Sequence, residues 1–201
     1  QSDVEDLASA ASVPVINALT DDHHPCQGLA DVFTVRERFG DSKGRKIVFL
    51  GDGNNVAGSL AEAAVMTGSD VCLCVPEGHD LPKARVDGIV ELAESSGAKA
   101  WVERDPSIAV SEASVLYTDV WISMGQDAEE KKIAALRPYQ LNRGLIAKAR
   151  PDVVVLHCLP AHRGEEITDE AMDGPWSAVF DQAENRLHVQ KALLASLLGT
   201  N

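Results

Sequence analysis

The chain has 201 residues, 45% of them hydrophobic, enough to bury the core of one large domain or of one domain and part of another. Its 18 Lys+Arg against 31 Asp+Glu leave a net charge of −13, a poor match for nucleic acid or an anionic membrane, so an anionic ligand needs a local cationic pocket. No run is long and apolar enough to span a bilayer, and Cys26, Cys72, Cys74 and Cys158 show neither a CxxC pair nor zinc spacing. These features predict a reducing, cytoplasmic protein with no signal peptide, disulfide, metal or membrane partner.

In chain order, residues 3–11 read as an amphipathic helix and 13–18 as a short strand, held to a sheet edge by Pro14. Gln1 is not an initiator methionine and a helical pattern follows at once, so the sequence reads as starting inside a domain. Residues 20–27 are polar and turn-like. The helix after them carries Leu29, Ala30, Phe33 and Arg36 at helical spacing and stops at Gly40. A strand over 46–50, a turn over 51–55 and an Ala-rich helix over 56–66 come next, the last ended by Gly68. Strands are predicted over 70–75, 99–102, 114–120 and 153–159, and helices over 82–95, 106–113, 127–136, 139–149 and 185–198. Cys72 and Cys74 alternate along one strand and should share a face. Strands alternating with helices imply an α/β fold with a doubly wound, Rossmann-like parallel sheet. The natural domain boundary lies near Gly40–Gly44, with the preceding helix as a bridge.

Several stretches carry polar chemistry at element ends. The apolar run Val153-Val154-Val155-Leu156 breaks off in His157-Cys158-Leu159-Pro160, and Pro160 cannot continue a ladder. An imidazole and a thiol therefore sit at the carboxyl edge of a central strand, where open α/β sheets bind ligands. The alternative is a satisfied core histidine beside a small buried thiol. Gly51-Asp52-Gly53-Asn54-Asn55 stands where a dinucleotide fingerprint would stand, but Val56 replaces its third glycine. Small residues there would let a ligand approach the helix N-terminus, whereas two Asn residues at a helix start are commonly just caps. Asp119 and Ser123 flank a turn after a strand, and their acceptor oxygens suit an ammonium group. His24 and Gln27 open a helix with donors suited to polarising a carbonyl, and His23 with His24 lacks a third metal ligand nearby. Arg186 alone would be a solvated surface arginine.

Taken together, His24-Pro25-Cys26-Gln27, the 51–55 turn, Asp119-Val120-Trp121-Ile122-Ser123-Met124-Gly125-Gln126, His157-Cys158-Leu159-Pro160 and Ala183-Glu184-Asn185-Arg186-Leu187-His188 resemble, in order and spacing, the ornithine carbamoyltransferases. The second His-containing motif and the Asp119–Gln126 stretch separate this resemblance from the aspartate carbamoyltransferases. It implies carbamoyl transfer from carbamoyl phosphate to the δ-amine of L-ornithine, without cofactor, in arginine metabolism, by a homo-oligomer, a trimer sharing sites between neighbours. It further implies that His24, Pro25, Cys26, Gln27, Cys158, Leu159 and Arg186 bind carbamoyl phosphate, with His24, Arg186 and Cys158 catalytic. Asn55 and the Met124 backbone would hold the ornithine carboxylate, Asp119 and Ser123 its α-amino group. Cys158 and the Leu159 carbonyl would face the attacking δ-nitrogen.

The family's phosphate loop, Ser-Thr-Arg-Thr, is absent from the 201 residues. The resemblance therefore implies an ornithine-binding domain over 41–184, a remnant of the carbamoyl phosphate domain over 1–40, and a terminal helix over 185–201 that packs back on the remnant. Such a chain is expected to be weak or inactive alone. The rival readings are a transferase for another amine such as putrescine, a non-catalytic ornithine-binding subunit, and a nicotinamide dehydrogenase, against which the missing third glycine speaks.

Overall fold

The computed structural model describes residues 1–122 and 130–199. Five strands form one sheet: β1 (Lys46–Leu50), β2 (Asp70–Cys74), β3 (Ala100–Glu103), β4 (Val115–Thr118) and β5 (Val154–His157). All pairings are parallel and the spatial order is β3-β2-β1-β4-β5. The order reverses between β1 and β4, so their carboxyl ends diverge and open a crevice.

Both faces of the sheet are covered, which is why its strands read as continuous apolar runs. Ile47, Phe49, Val71, Leu73, Val115, Tyr117 and Leu156 face one core, shared with α2 (Pro25–Phe39), α3 (Asn55–Met66) and α4 (Lys83–Ser96). Val48, Leu50, Cys72, Cys74, Leu116 and Val155 face the other, with α5 (Pro106–Ala109), α7 (Arg143–Ile146) and α8 (Asp169–Asp173). Cys72 and Cys74 thus share a face, as the alternation predicts. The remaining helices are α1 (Ser2–Ala10), α6 (Glu130–Leu136) and α9 (Val179–Leu198). Among the described residues no helix is long and apolar enough to cross a membrane.

Contact between α2 and α3 depends on Gly28. A Cβ there would lie 2.6 Å from the Ser59 carbonyl oxygen, well inside van der Waals contact. The far side of α2 meets α9, where Asn185 donates to the Thr34 hydroxyl at 3.0 Å.

Several expectations need correction. Residues 13–18 form no strand: Pro14 has no N–H to give, and no described strand runs alongside to pair with them. Leu29 and Phe33 point outward, 42% and 37% exposed, because the buried face of α2 is made by Cys26, Ala30, Asp31, Thr34 and Val35. The 106–113 helix stops at Ala109, and Glu112 takes φ +58, outside helical space. The 139–149 helix shrinks to α7, because Pro138 sits in a 3-10 turn and Leu141 bridges to Ile167. The strand expected over 153–159 ends at His157, where Leu159 turns to φ +60 before a cis Pro160. Finally, the loop before the last helix contains α8, and α9 starts at Val179 rather than residue 185. Its added turn buries Val179 and Gln182, which have more to gain inside than a loop would give them.

Candidate active site

A cleft of about 760 Å³ opens at the crevice between β1 and β4. His24, Asn54, Asn55, Asp119, Cys158 and Leu159 are among its walls. Three strand ends and one helix start bring them together: β1 leads into the 51–55 turn, β4 into Asp119, β5 into Cys158, and His24 precedes α2.

Asp119 is the centre of one wall. It is only 7% exposed, yet both carboxylate oxygens have donors. Asn54 Nδ2 donates to Oδ2 at 2.8 Å and the Cys158 thiol to Oδ1 at 3.1 Å. Asn54 does this while capping α3, its Oδ1 accepting from the Val56 and Ala57 amides. The cap and the clamp on Asp119 are the same side chain. Burial first, then the Asp119 charge, push the Cys158 thiol well above its ordinary range. It is therefore a protonated donor that holds the carboxylate. A carboxylate has about four lone-pair sites, so two remain for a further donor. Asn55, next along, donates from Nδ2 to the Thr20 carbonyl at 2.7 Å, joining the cleft floor to the segment before α2.

The opposite wall begins at His24. Its backbone amide donates to Ser59 Oγ at 2.8 Å, which seats the start of α2. Burial, and then the Arg186 guanidinium, lower its imidazole pKa, so the ring is neutral near pH 7. Its Nδ1 is buried with no protein partner. Behind it, Arg186 Nη1 donates to Gln27 Oε1 at 2.7 Å and Nη2 to the Ala18 carbonyl at 3.2 Å. Arg186 Nε is also buried without a partner. Arg186 is thus no surface arginine, because α9 carries it across α2. Pro25 occupies the first turn of α2, where a missing N–H costs nothing, and Cys26 is 1% exposed and anchors the helix. Ser123 and Met124 lie outside the described residues.

His157 is a satisfied core histidine, as the alternative reading has it. Its Nδ1 accepts from the Leu159 amide at 2.9 Å and its Nε2 meets Glu166 Oε1 at 3.1 Å. Glu166 is itself fully buried. This carboxylate–imidazole–amide chain fixes the turn that presents Cys158 and Leu159. Asp119, His157 and Cys158 each bring one possible metal ligand within 4.8 Å of the others. Both His157 nitrogens are occupied and the thiol is protonated, so the donor set does not suit an ion.

Gly53 departs from its expected use. Its absent Cβ makes room for backbone, since a Cβ would lie 2.4 Å from the His79 carbonyl oxygen. The backbone of residues 79–81 therefore packs directly against Gly53. Asp52 holds that loop through His79 Nδ1 at 2.9 Å and also meets Lys132 Nζ at 2.7 Å.

Sequence reading missed Asn54 as the Asp119 clamp, and also Asp31, Tyr117, Gln182 and Glu166. Asp31 lies four residues after Gln27, and Gln182 and Asn185 are three apart, so polar residues at helical spacing on a buried face were the available signal. For Glu166, in a loop, no periodic signal exists.

Known proteins share this fold. Residues 43–197 match the family model of the aspartate/ornithine carbamoyltransferase Asp/Orn binding domain, and residues 1–37 that of its carbamoyl-P binding domain. An ornithine carbamoyltransferase of Pyrococcus abyssi is 53% identical over 198 residues, 98% of this chain and 62% of that protein. The anabolic ornithine carbamoyltransferase of Pyrococcus furiosus is 52% identical, over 98% of this chain and 63% of its own length. The solved structure of a P. furiosus ornithine carbamoyltransferase superposes with a TM-score of 0.95 at 51% identity, covering 100% of this chain and 64% of that one. That of Giardia lamblia ornithine transcarbamoylase gives 0.90 at 32% identity, covering 98% of this chain and 67% of that one. The chain spans 62% to 63% of the length of the curated relatives named here. With both domain models matched in order and the sheet topology shared, the chain belongs to the aspartate/ornithine carbamoyltransferase family.

Proposed function

We propose that the protein transfers the carbamoyl group of carbamoyl phosphate to the δ-amine of L-ornithine, giving L-citrulline and phosphate. The observation that carries this reading is the cleft itself. One wall holds a neutral His24 whose Nδ1 is buried and unpartnered; the other holds a carboxylate clamped by Asn54 and Cys158. The first wall suits a polar, uncharged carbonyl end and the second an ammonium. The names of the relatives, all ornithine carbamoyltransferases, agree with it.

In this reading the δ-nitrogen forms a bond to the carbamoyl carbon as the C–O bond to phosphate breaks, and the amine proton ends on the departing phosphate. His24 and Arg186 stabilise the charge developing on the carbamoyl oxygen, and Gln27 orients the group. Asp119 and Ser123 take the α-ammonium. Asn55 and the Met124 backbone take the carboxylate, while Cys158 and the Leu159 carbonyl face the δ-nitrogen. The domains divide as residues 1–40 on the carbamoyl phosphate side, 41–184 on the ornithine side, and 185–201 as a helix joining them. The contact of α9 with α2 supports that division. No Ser-Thr-Arg-Thr loop exists in these 201 residues, so by themselves they should hold the phosphate weakly. A homotrimer in an arginine-forming, cytoplasmic setting completes the proposal.

The test is an acceptor panel on the full-length protein. Ornithine should be carbamoylated faster than putrescine, which keeps both amines but lacks the α-carboxylate, and faster than Nα-acetylornithine, whose α-nitrogen is no longer an ammonium. Preference for putrescine would replace ornithine as substrate, and binding of ornithine without turnover would favour the non-catalytic subunit.

A further inference from the structure

The residues of the carbamoyl wall are anchored in two different ways. Gln27 and Arg186 belong to the contact of α2 with α9. Beneath the cleft, one oxygen of the buried Asp31 takes Gln27 Nε2 at 2.8 Å and Gln182 Nε2 at 2.6 Å, while Arg186 holds the other end of the Gln27 amide. His24 shares only the Ala18 carbonyl with that network. Its backbone amide goes instead to Ser59 on α3, and its Nδ1 is buried without a protein partner. The place of the ring therefore depends chiefly on the backbone that carries it.

Arg85 holds that backbone. It stands in the first turn of α4, where the helix dipole disfavours a cation, and its side chain is only 14% exposed. Nε and Nη2 donate to the two oxygens of Glu62 at 2.8 and 3.1 Å, the fork of a bidentate pair. Nη2 also reaches His23 Nδ1 at 3.1 Å and Ser59 Oγ at 3.3 Å, and Nη1 donates to the Asp22 carbonyl. An arginine only donates, so His23 Nδ1 is the acceptor in its pair. One guanidinium thus meets three successive residues, Asp22 and His23 directly and His24 through Ser59. Gly58 leaves the room for it, since a Cβ there would run into the guanidinium.

This clamp crosses from one matched domain to the other. Asp22, His23 and His24 fall in the segment that matches the carbamoyl-P binding domain; Ser59, Glu62 and Arg85 fall in the segment that matches the Asp/Orn binding domain. Asn55 ties the Thr20 carbonyl across the same seam, but four residues short of His24.

We propose that Arg85 is a positioning residue for the carbamoyl end of the reaction: it fastens residues 22–24 to α3 and α4 and so sets His24 across the cleft from Asp119. The inference rests on the reading of His24 as a carbamoyl contact. Arg85 is not among the residues that line the cleft, so its effect runs through the backbone at His24. The role needs the planar fork. A lysine keeps the charge beside Glu62, but a single ammonium cannot meet Glu62, His23 and Asp22 from one rigid plane.

The experiment compares the full-length wild type with Arg85→Lys and Ser59→Ala, by steady-state kinetics and by the His24 ring resonances of 15N-histidine-labelled protein. In both variants the His24 resonances should shift. The kcat/KM for carbamoyl phosphate at saturating ornithine should fall by about 10- to 100-fold, the scale of a small misplacement of a group at the reacting centre. KM for ornithine at saturating carbamoyl phosphate should change by less than about threefold. If Arg85 served only as a charge for Glu62, Arg85→Lys would turn over at the wild-type rate, and that result overturns the proposal. Equal losses for both substrates, or His24 resonances that stay in place, overturn it as well. If Arg85→Lys does not fold, Ser59→Ala decides alone, because it leaves the Arg85–Glu62 pair intact. His24 resonances that move with Arg85 in a protein that carbamoylates no amine would overturn the carbamoyl role while leaving the Arg85–His24 linkage, which separates the two failures.

Discussion

Replacing Asp119 with Asn should weaken ornithine far more than carbamoyl phosphate. The carboxylate is 7% exposed and held by Asn54 and Cys158, so it meets a substrate ammonium without reorganising. A charge-assisted hydrogen bond contributes about 1.5–3 kcal/mol, equivalent to about 10- to 150-fold in binding. The substituted amide would keep an oxygen for the Cys158 thiol, but its NH₂ would meet the NH₂ of Asn54. That clash adds a local cost of about 1 kcal/mol, the worth of an ordinary hydrogen bond. The assay is steady-state kinetics with each substrate varied at saturating levels of the other, together with the melting temperature of the variant. KM for ornithine should rise at least about tenfold, KM for carbamoyl phosphate by less than about threefold, with a folded protein throughout. Equal losses for both substrates, in a variant that melts normally, would refute the placement of the ammonium at Asp119.

Cys158→Ala should lower kcat by about 10- to 100-fold, the loss of one donor to a charged group, and Cys158→Ser should recover most of it; a Ser variant as slow as Ala would mean that the thiol does something other than hold Asp119. Burial raises the Asp31 carboxyl from an ordinary 3.8 to about 7, so the folded state binds a proton the unfolded chain releases. Its contribution to stability is complete below the ordinary value of 3.8 and is lost as pH rises through about 7. The whole effect is at most about 4 kcal/mol, so Asp31→Asn should flatten the fall in urea-unfolding free energy between about pH 4 and 8, and an unchanged slope would contradict the burial argument. Gly28→Ala should cost about 1–3 kcal/mol, since its Cβ would sit 2.6 Å from the Ser59 oxygen, and a variant as stable as wild type would show that α2 and α3 can part freely.

The sheet was legible because each strand is a run of apolar residues ending in glycine, proline or a polar turn. Lys46–Leu50 is bounded as expected, and β4 and β5 each lose one residue at the start and two at the end, where the chain bends away toward the cleft. Strand order was not legible: nothing in the strands themselves says that β1 lies between β2 and β4, the fact that makes the crevice. The segment over 13–18 failed because alternation shows what a strand could bury, not whether a neighbour exists to pair with it. Cleft residues at strand ends, such as Asp119 and Cys158, could be picked from the sequence. Residues that act from beneath, such as Asp31 and Gln182, show in the sequence only as polar positions at helical spacing; that they bond each other does not show, since they lie 151 positions apart in the chain. Asn54 shows a further limit. Its helix cap follows from sequence alone, but its second bond, to Asp119, depends on how β1 and β4 are placed.

Following a label tests carbamoyl transfer most directly. Full-length protein given 13C-carbamoyl phosphate and L-ornithine should move the carbon into a ureido group on the δ-nitrogen, seen by NMR as citrulline, at a rate that depends on both substrates. Label recovered only as bicarbonate, or on a different amine when ornithine is present, would contradict carbamoyl transfer to ornithine at this cleft.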